Sequence, residues 1–166
     1  MPQFAPPTDL RAYRAALGTF ATGVTIITIS TDAGPVGITA NSFASVSLDP
    51  ALILWSPAKS SSRFNLFTAA PRFAVHVLSD SQSDLAMAFT RSKDAFAGLD
   101  WTLSTAGTPV IPGCLARFDC DTTAIHDAGD HVIILGQVHE VSHATGSPLV
   151  FHGGAFGGFQ AEPPKP

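Results

Sequence analysis

The chain has 166 residues, of which 45% are apolar and 13% are charged, and its formal net charge is −4. High hydrophobicity with low charge excludes an intrinsically disordered chain. The acidic balance argues against nucleic-acid binding, and no apolar stretch approaches the roughly 20 residues of a membrane span. We therefore expect a single domain over residues 1–166, with its core at about 10–159 and short loose tails at both ends.

The cellular compartment is predicted from the N-terminus and the cysteines. The first residues lack the basic and long apolar segments of a secretory signal. Cys114 and Cys120 are the only cysteines, and their spacing fits neither a zinc site nor a disulfide framework. Two reduced cysteines without a leader predict a cytoplasmic protein.

The first half of the chain predicts one helix and four strands. Thr8 or Asp9 can cap the helix. Its approximate apolar stripe comprises Leu10, Tyr13, Leu17 and Phe20. β-Branched residues then predict a strand at 24–29, a turn follows at 32–35, and further strands are predicted at 36–40, 43–48 and 51–55.

The second half predicts two helices, at 60–69 and 81–90, on either side of a strand at 73–78. After a loop at 109–113, two long strands are expected near 115–126 and 131–142, and a short strand at 148–151 leads into a glycine-rich tail. Many short strands, few helices, 14 glycines and 13 prolines predict an all-β barrel or sandwich with added helices.

One segment matches a zinc-binding sequence motif. Residues 139–143 match H-E-x-x-H, which binds zinc only on a helix, where positions i and i+4 share a face. Here the motif ends a strand-like run, and in a strand His139 and His143 lie roughly 13 Å apart. We therefore predict two surface histidines and no metal.

Two other motif matches lack their structural context. Residues 56–59 match S-x-x-K, but a proline lies inside the motif and the partner motifs of serine β-lactamases are absent. The glycines at 153–158 do not form G-x-G-x-x-G and follow no βαβ unit, so a Rossmann site is not expected.

A strip at 37–50 alternates small hydroxyl and amide side chains with apolar ones. Such a strip can hydrogen-bond a planar polar ligand with one face while the other face packs in the core. Ordinary strands with solvent-facing serine and threonine explain the same composition, so both interpretations stand at this point.

A second polar segment follows at 59–65, where Lys59 and Arg63 flank three serines at a predicted helix start. Free N–H groups, hydroxyls and cations together are a common way to hold a phosphate, although one serine acting as an N-cap is the alternative. A planar-ligand strip followed by an anion site indicates a phosphorylated aromatic cofactor. A flavin is such a cofactor and carries hydride, which side chains cannot.

Six segments match one family in order: 17–25, 37–50, 72–78, 96–101, 129–131 and 148–152. Through them the sequence resembles the flavin reductase-like family, the FMN-binding split barrels, and within it the short-chain reductases of two-component monooxygenases. The resemblance implies an antiparallel Greek-key split β-barrel with added helices. It also implies a homodimer with flavin bound close to the subunit interface.

The resemblance implies a set of site residues. Those expected along the flavin ring and ribityl chain are Thr39, Ala40, Asn41 and Ser42, and those presenting backbone groups to the isoalloxazine are Ser45, Val46 and Ser47. Those expected at the phosphate are Lys59, Ser60, Ser61 and Arg63. Gly129, Asp130 and His131 are expected beside the nicotinamide, which His131 would orient, and His152 and Phe156 are further cofactor-binding candidates.

The implied activity is NAD(P)H-dependent reduction of FMN or FAD, which delivers reduced flavin to a partner monooxygenase. NADH or NADPH is the co-substrate. The alternatives are a flavoprotein that reduces ferric iron or a quinone, and a non-catalytic flavin-binding protein. Two departures from the family bear on the pocket: glycines follow His152 where basic residues are common, and Trp55 stands where a smaller residue is expected.

Overall fold

The computed structural model describes residues 5–92 and 95–162, so the outermost parts of the predicted tails lie outside the described residues. The α-helices found there are α1 (Leu10–Gly18), α2 (Phe64–Ala69) and α3 (Ser83–Arg91). The strands are β1 (Thr22–Gly23), β2 (Thr25–Thr31), β3 (Gly34–Ala40), β4 (Ala44–Leu48), β5 (Ala51–Trp55), β6 (Arg72–Val77), β7 (Thr102–Leu103), β8 (Pro109–Val110), β9 (Ala116–Ala128), β10 (His131–His143), β11 (Leu149–His152) and β12 (Ala155–Gly158).

Seven of the strands form the main sheet, in the order β3-β2-β6-β9-β10-β5-β4. A three-stranded sheet, β1-β11-β12, and a two-stranded sheet, β7-β8, complete the β-structure described. Every pairing in these sheets is antiparallel. The predicted class, antiparallel and mainly β with added helices, is confirmed.

The centre of the main sheet is buried on both faces. Ile27 and Ile29 of β2 pack with Trp55 in one hydrophobic core, whereas Ile26 packs with Phe89 of α3 in a second core on the opposite face. A strand covered on both sides needs apolar residues at successive positions, which is why residues 24–29 are so uniformly apolar or β-branched.

A glycine lets α3 approach the sheet. A Cβ atom at Gly37 of β3 would lie 2.4 Å from a ring carbon of Phe89, closer than any real contact. The missing side chain therefore lets α3 pack against β3, which ends with Thr39 and Ala40 and is followed by Asn41.

The predicted boundaries are mostly right, and the strand at 51–55 is confirmed residue for residue. The helix predicted at 60–69 is wrong at its start, because two successive turns precede α2. Ser61 N donates to the Ala58 carbonyl at 3.0 Å, and Phe64 N donates to the Ser61 carbonyl at 3.0 Å. The glycine-rich tail is not a loop throughout, since β12 forms within it.

Helix α1 is capped as predicted, because Ala12 N donates to the Asp9 carboxylate at 2.8 Å. Its apolar stripe, however, packs against no core: none of its residues is buried. Leu10 is 60% exposed, Leu17 is 56% exposed, and Phe20 just beyond the helix is 77% exposed. The helix thus presents an apolar face outward.

The H-E-x-x-H segment lies in β10, so its prediction as a strand is confirmed. Within residues 5–92 and 95–162, no group of three or more histidine, cysteine or acidic side chains is arranged to hold a metal ion. The absence of a functional metal stays a prediction. None of the helices in the same ranges is long and apolar enough to cross a membrane.

Both ring nitrogens of the buried histidine in β6 have partners. His76 of β6 is fully buried, with Nδ1 placed 3.2 Å from the Ile26 carbonyl and Nε2 accepting from Ile111 N at 3.2 Å. Burial lowers the pKa of His76 to about 4, so the ring is neutral at pH 7. Nδ1 donates to the carbonyl in the tautomer that satisfies both contacts.

Candidate functional site

Two cavities meet at the end of β3 and share Thr39, Ala40 and Asn41 in their walls. The turn-side cavity, of about 250 Å³, is also lined by Ile38, Ser42, Trp55, Ser56, Pro57, Ala58, Ser61 and His131. The tail-side cavity, of about 220 Å³, is also lined by Val24, Met87, Thr90, Phe151 and Phe156. Residues predicted from four separate segments therefore meet at one place.

The end of β3 is held rigidly on both sides. Thr39 donates from Oγ1 to the Ala86 carbonyl of α3 at 2.6 Å, and Thr25 donates to the Ala40 carbonyl at 2.7 Å. Asn41 follows the strand and is exposed, and its side-chain amide pairs with nothing in the described parts of the chain. An amide held on a rigid strand end is therefore available to a ligand.

Ser42 ties the two walls of the turn-side cavity together. Its Oγ accepts from Ser56 N at 2.9 Å. Ser42 was predicted to line the ligand pocket, and it does line the cavity, but its hydroxyl also joins the end of β3 to the segment after β5.

The loop between β5 and α2 offers unpaired donors. Ser61 lines the turn-side cavity, and its Oγ accepts from Arg63 N at 3.2 Å, which leaves the hydroxyl proton free to be donated. The backbone N–H groups of Ser60 and Ser62 donate to no residue that the structure describes. Free N–H groups beside a serine hydroxyl suit an anion.

The Arg63 side chain is bonded to backbone carbonyls of β3 and α3, so it is not a free donor of this loop. Only 8% of the residue is exposed, and Nη1 donates to the carbonyls of Gly37 and Phe89, each at 2.6 Å. Nη2 donates to the Thr90 carbonyl at 3.1 Å. These contacts hold the end of α3 and argue against the predicted direct contact with a phosphate. Burial lowers the pKa of the Arg63 guanidinium.

Lys59 is also engaged, through an ion pair of its Nζ with the Asp127 carboxylate. Lys59 N donates to the Asp130 carbonyl at 2.8 Å, and Val132 N donates to the Pro57 carbonyl at 3.2 Å. The turn between β9 and β10 is thereby docked on the loop before α2. The predicted phosphate contact of Lys59 would have to replace Asp127.

This docking places the predicted nicotinamide segment beside the cavity. Gly129 adopts φ +71°, a conformation that favours glycine and closes the turn. His131 lines the turn-side cavity, with its Nδ1 2.7 Å from the Asp130 carboxylate. That contact lowers the pKa of Asp130 and fixes the ring, leaving Nε2 of His131 for another partner. Gly129 and Asp130 do not line the cavity themselves.

Strand β4 carries the predicted backbone contacts and lies at the edge of the main sheet. The pairing with β5 shifts between Ser45 and Ser47, so Val46 is left out of the ladder. A bulge of this kind frees backbone groups and is common beside active sites. Ser45, Val46 and Ser47 line neither of the two cavities, and their role stays a prediction.

At the C-terminus the two predicted residues differ in position. Phe156 of β12 lines the tail-side cavity and packs edge-on against Phe151, with ring centroids 5.6 Å apart. His152 is exposed at the end of β11 and lines neither cavity.

Comparison with known proteins identifies the group to which this arrangement belongs. Residues 17–160 match the flavin reductase like domain. An FMN reductase (NADH), SmoA, of Agrobacterium fabrum is 58% identical over 152 residues, covering 92% of this chain and 87% of that protein. The chain belongs to the flavin reductase family.

Further family members support the assignment. HsaB, the reductase subunit of a flavin-dependent monooxygenase of Mycobacterium tuberculosis, is 40% identical over 162 residues, covering 95% of this chain and 87% of that protein. The NADH:FAD oxidoreductase SgcE6 of Streptomyces globisporus, in complex with NAD and FAD fragments, has a TM-score of 0.89 at 37% identity. That match covers 96% of this chain and 98% of SgcE6. The predicted split-barrel fold is confirmed by these neighbours.

Sequence reasoning missed the apolar walls of this flavin reductase family member. Val24, Met87 and Phe151 line the tail-side cavity. Apolar residues that line a cavity look like core residues in a sequence. Val24 and Phe151 lie in segments that carry the family resemblance, and that was the one signal available for them.

Proposed function

We propose that this chain is an NAD(P)H:flavin oxidoreductase that binds FMN or FAD and supplies reduced flavin to a partner monooxygenase. The observation that carries the proposal is the meeting of Asn41, Ser61 and His131 around one cavity at the end of β3. Family membership supports the same reaction, since SmoA and SgcE6 are both named as NADH-dependent flavin reductases.

The donor set around the turn-side cavity fits a flavin phosphate and ribityl chain. The Ser61 hydroxyl and the free N–H groups of Ser60 and Ser62 would hold the phosphate, and Asn41 would bond the polar chain or ring edge. Arg63, buried nearby without an acidic partner in the described ranges, contributes positive charge through space. Bound flavin supplies the hydride-accepting chemistry that side chains lack.

The chain's own task in this reaction is placement. His131 is fixed by Asp130 at the cavity wall, where it would orient the nicotinamide or its phosphates. Phe151 and Phe156 give the tail-side cavity an apolar wall, against which the flat face of a ring could pack. Correct orientation of two reactants can supply most of the rate acceleration, and hydride arrival needs no strong general acid.

We also propose a homodimer in the cytoplasm. Leu10, Tyr13 and Leu17 form one exposed apolar stripe on α1, and covering it needs a partner surface. Leu17 and Phe20 line a surface depression together with Asn41, so the covered face would adjoin the flavin site. Leu17→Glu with Phe20→Glu is expected to produce monomers in light scattering. A variant that remains dimeric would place the interface elsewhere.

The monooxygenase partner is proposed from the relatives. HsaB is a monooxygenase reductase subunit, and BorF is the flavin reductase component of a two-component tryptophan halogenase. A reductase that releases its reduced flavin suits a partner that accepts it by diffusion. The substrate of that monooxygenase is determined by the monooxygenase itself and not by residues of this chain.

The test of the proposed function is the oxidation of NADH or NADPH, followed at 340 nm with and without added FMN or FAD. We expect oxidation only when flavin is present. Flavin binding without turnover with either nucleotide would instead indicate a flavin-binding protein. Turnover that proceeds only with ferric iron or a quinone added would indicate a different acceptor.

A further inference from the structure

A third cavity lies next to the tail-side cavity, and neither the predicted site nor the proposed flavin contacts use it. We call it the α3 cavity. It has a volume of about 410 Å³ and is lined by Asp80, Ser81, Ser83, Leu149, Phe156, Gly157 and Gly158. Phe156 also lines the tail-side cavity, so the two spaces share this residue in their walls.

The α3 cavity has both paired and unpaired polar side chains: the Ser81 hydroxyl is bonded to the Ser79 hydroxyl at 3.0 Å, whereas two others are unpaired. Asp80 N donates to the Ser147 carbonyl at 2.9 Å, and Ser79 and Gln82 bond each other reciprocally across the turn. The Asp80 carboxylate and the Ser83 hydroxyl, by contrast, have no hydrogen bond or ion pair with any described residue. A rigid backbone therefore presents a free carboxylate to the cavity.

The charge of this cavity has one sign. Its lining contains a single carboxylate and no lysine, arginine or histidine. Arg91 lies at the other end of α3 from Ser83, roughly 12 Å away along the helix. A ligand group bound here thus meets hydroxyls and one negative charge.

A ribose with free 2′- and 3′-hydroxyls fits this chemistry, because its hydroxyls donate to a carboxylate. A 2′-phosphate does not fit, since it adds about two negative charges and needs a cation beside it. We propose that the α3 cavity binds the adenosine ribose of NADH and that Asp80 discriminates against NADPH. This proposal rests on the proposed function and names the determinant of its nucleotide preference.

The test compares nucleotides with FMN as the flavin, because FMN has no adenosine of its own. We expect wild type to prefer NADH over NADPH by at least about tenfold in kcat/KM, and Asp80→Asn to reduce that preference by about fivefold. Asp84→Asn is the matched control. It removes a carboxylate from the first turn of the same helix but does not line the cavity, so it should leave the preference within about twofold.

The outcomes separate this proposal from the proposed function. Wild type that oxidises both nucleotides equally, or an Asp80→Asn variant with unchanged preference, would overturn the role of Asp80. A second measurement compares the affinity for FAD with the affinity for FMN. If Asp80→Asn changes the ratio of these affinities but not the nucleotide preference, the cavity binds the flavin's adenosine and the proposal is wrong. Loss of all turnover in wild type would contradict the proposed function instead.

Discussion

The central strands and the rim of the candidate site use similar polar residues but pair them differently. In β2 and β6, His76 and Thr28 are fully buried and bonded to backbone groups of neighbouring segments. At the rim, the Asn41 amide and the N–H groups of Ser60 and Ser62 have no such partners among the described residues. Pairing within the chain thus separates polar groups that stabilise the fold from those available to a ligand.

Arg63 gives the strongest test of this comparison. The sequence predicts that it contacts a phosphate, whereas in the structure it donates hydrogen bonds to backbone carbonyls. Arg63→Met would leave three backbone carbonyls without the hydrogen bonds that Arg63 now donates to them. We expect this to lower the free energy of unfolding by at least about 3 kcal/mol. Urea denaturation measures this loss. Lys59→Met, which removes an exposed cation four residues earlier, should change stability by less than about 1 kcal/mol. Equal losses in the two variants would contradict the structural role.

His76 predicts acid sensitivity of the central strands. Its folded pKa of about 4 lies below the ordinary histidine pKa of 6.5, so between these pH values the unfolded chain binds a proton that the folded chain does not. Stability is therefore complete above about pH 6.5 and falls by roughly 3 kcal/mol as the pH drops to about 4. Denaturation curves across this range measure the slope.

The contribution of His76 can be isolated with a variant. His76→Gln keeps a donor and an acceptor but has no proton to gain, so its stability should depend less on pH in the same window. His131→Gln, at a partly exposed position, should retain the wild-type slope. If both variants show the wild-type slope, another group causes the acid sensitivity.

The unpaired rim groups predict a binding effect without a stability effect. Asn41→Ala combined with Ser61→Ala should weaken flavin binding by more than about tenfold, since each change removes a ligand bond of about 0.5–1.5 kcal/mol. Fluorescence titration of FMN measures the affinity. The control pair Ser62→Ala with Asn65→Ala removes the same side chains from exposed positions that line neither cavity. Unchanged affinity in the folded Asn41/Ser61 variant would mean that the site is misplaced.

The smallest expected effect concerns His131. His131→Ala should raise KM for the nicotinamide cofactor by about fivefold and leave flavin affinity within about twofold, because one hydrogen bond to an outer substrate is lost. Steady-state kinetics at saturating flavin measures KM and kcat separately. A parallel fall in kcat would show that His131 aligns the hydride at the transition state. A collapse of flavin affinity alone would reverse the proposed order of the two ligands.

The parts of the fold that were predictable are those with a strong local pattern. The β-branched run in β2 and the apolar residues of β5 identify their strands, because the side chains themselves specify a buried extended chain. The strands β1, β7 and β8 have two residues each and show no periodicity. They form because neighbouring segments pair with them, and that information is distributed over distant parts of the chain.

The residues of the candidate site likewise divide into those that the sequence predicted and those whose contacts depend on tertiary packing. Asn41, Ser61 and His131 were identified because polar residues in these segments match the family, and the structure brings all three to one cavity. The engagement of Arg63 with the end of α3, 26 residues away, has no local signal. The partners of a long side chain depend on tertiary packing, so charge and spacing alone misjudged what this cation contacts.

The docking of the β9–β10 turn on the loop before α2 has a thermodynamic consequence. The backbone bond from Lys59 to Asp130 joins the segment proposed to hold the flavin phosphate to the one that carries His131. Any coupling through this joint is reciprocal: the factor by which flavin changes nicotinamide affinity equals the factor by which nicotinamide changes flavin affinity. If the coupling is positive, bound nucleotide holds the flavin more tightly, and the flavin dissociates more readily once the spent nucleotide has left.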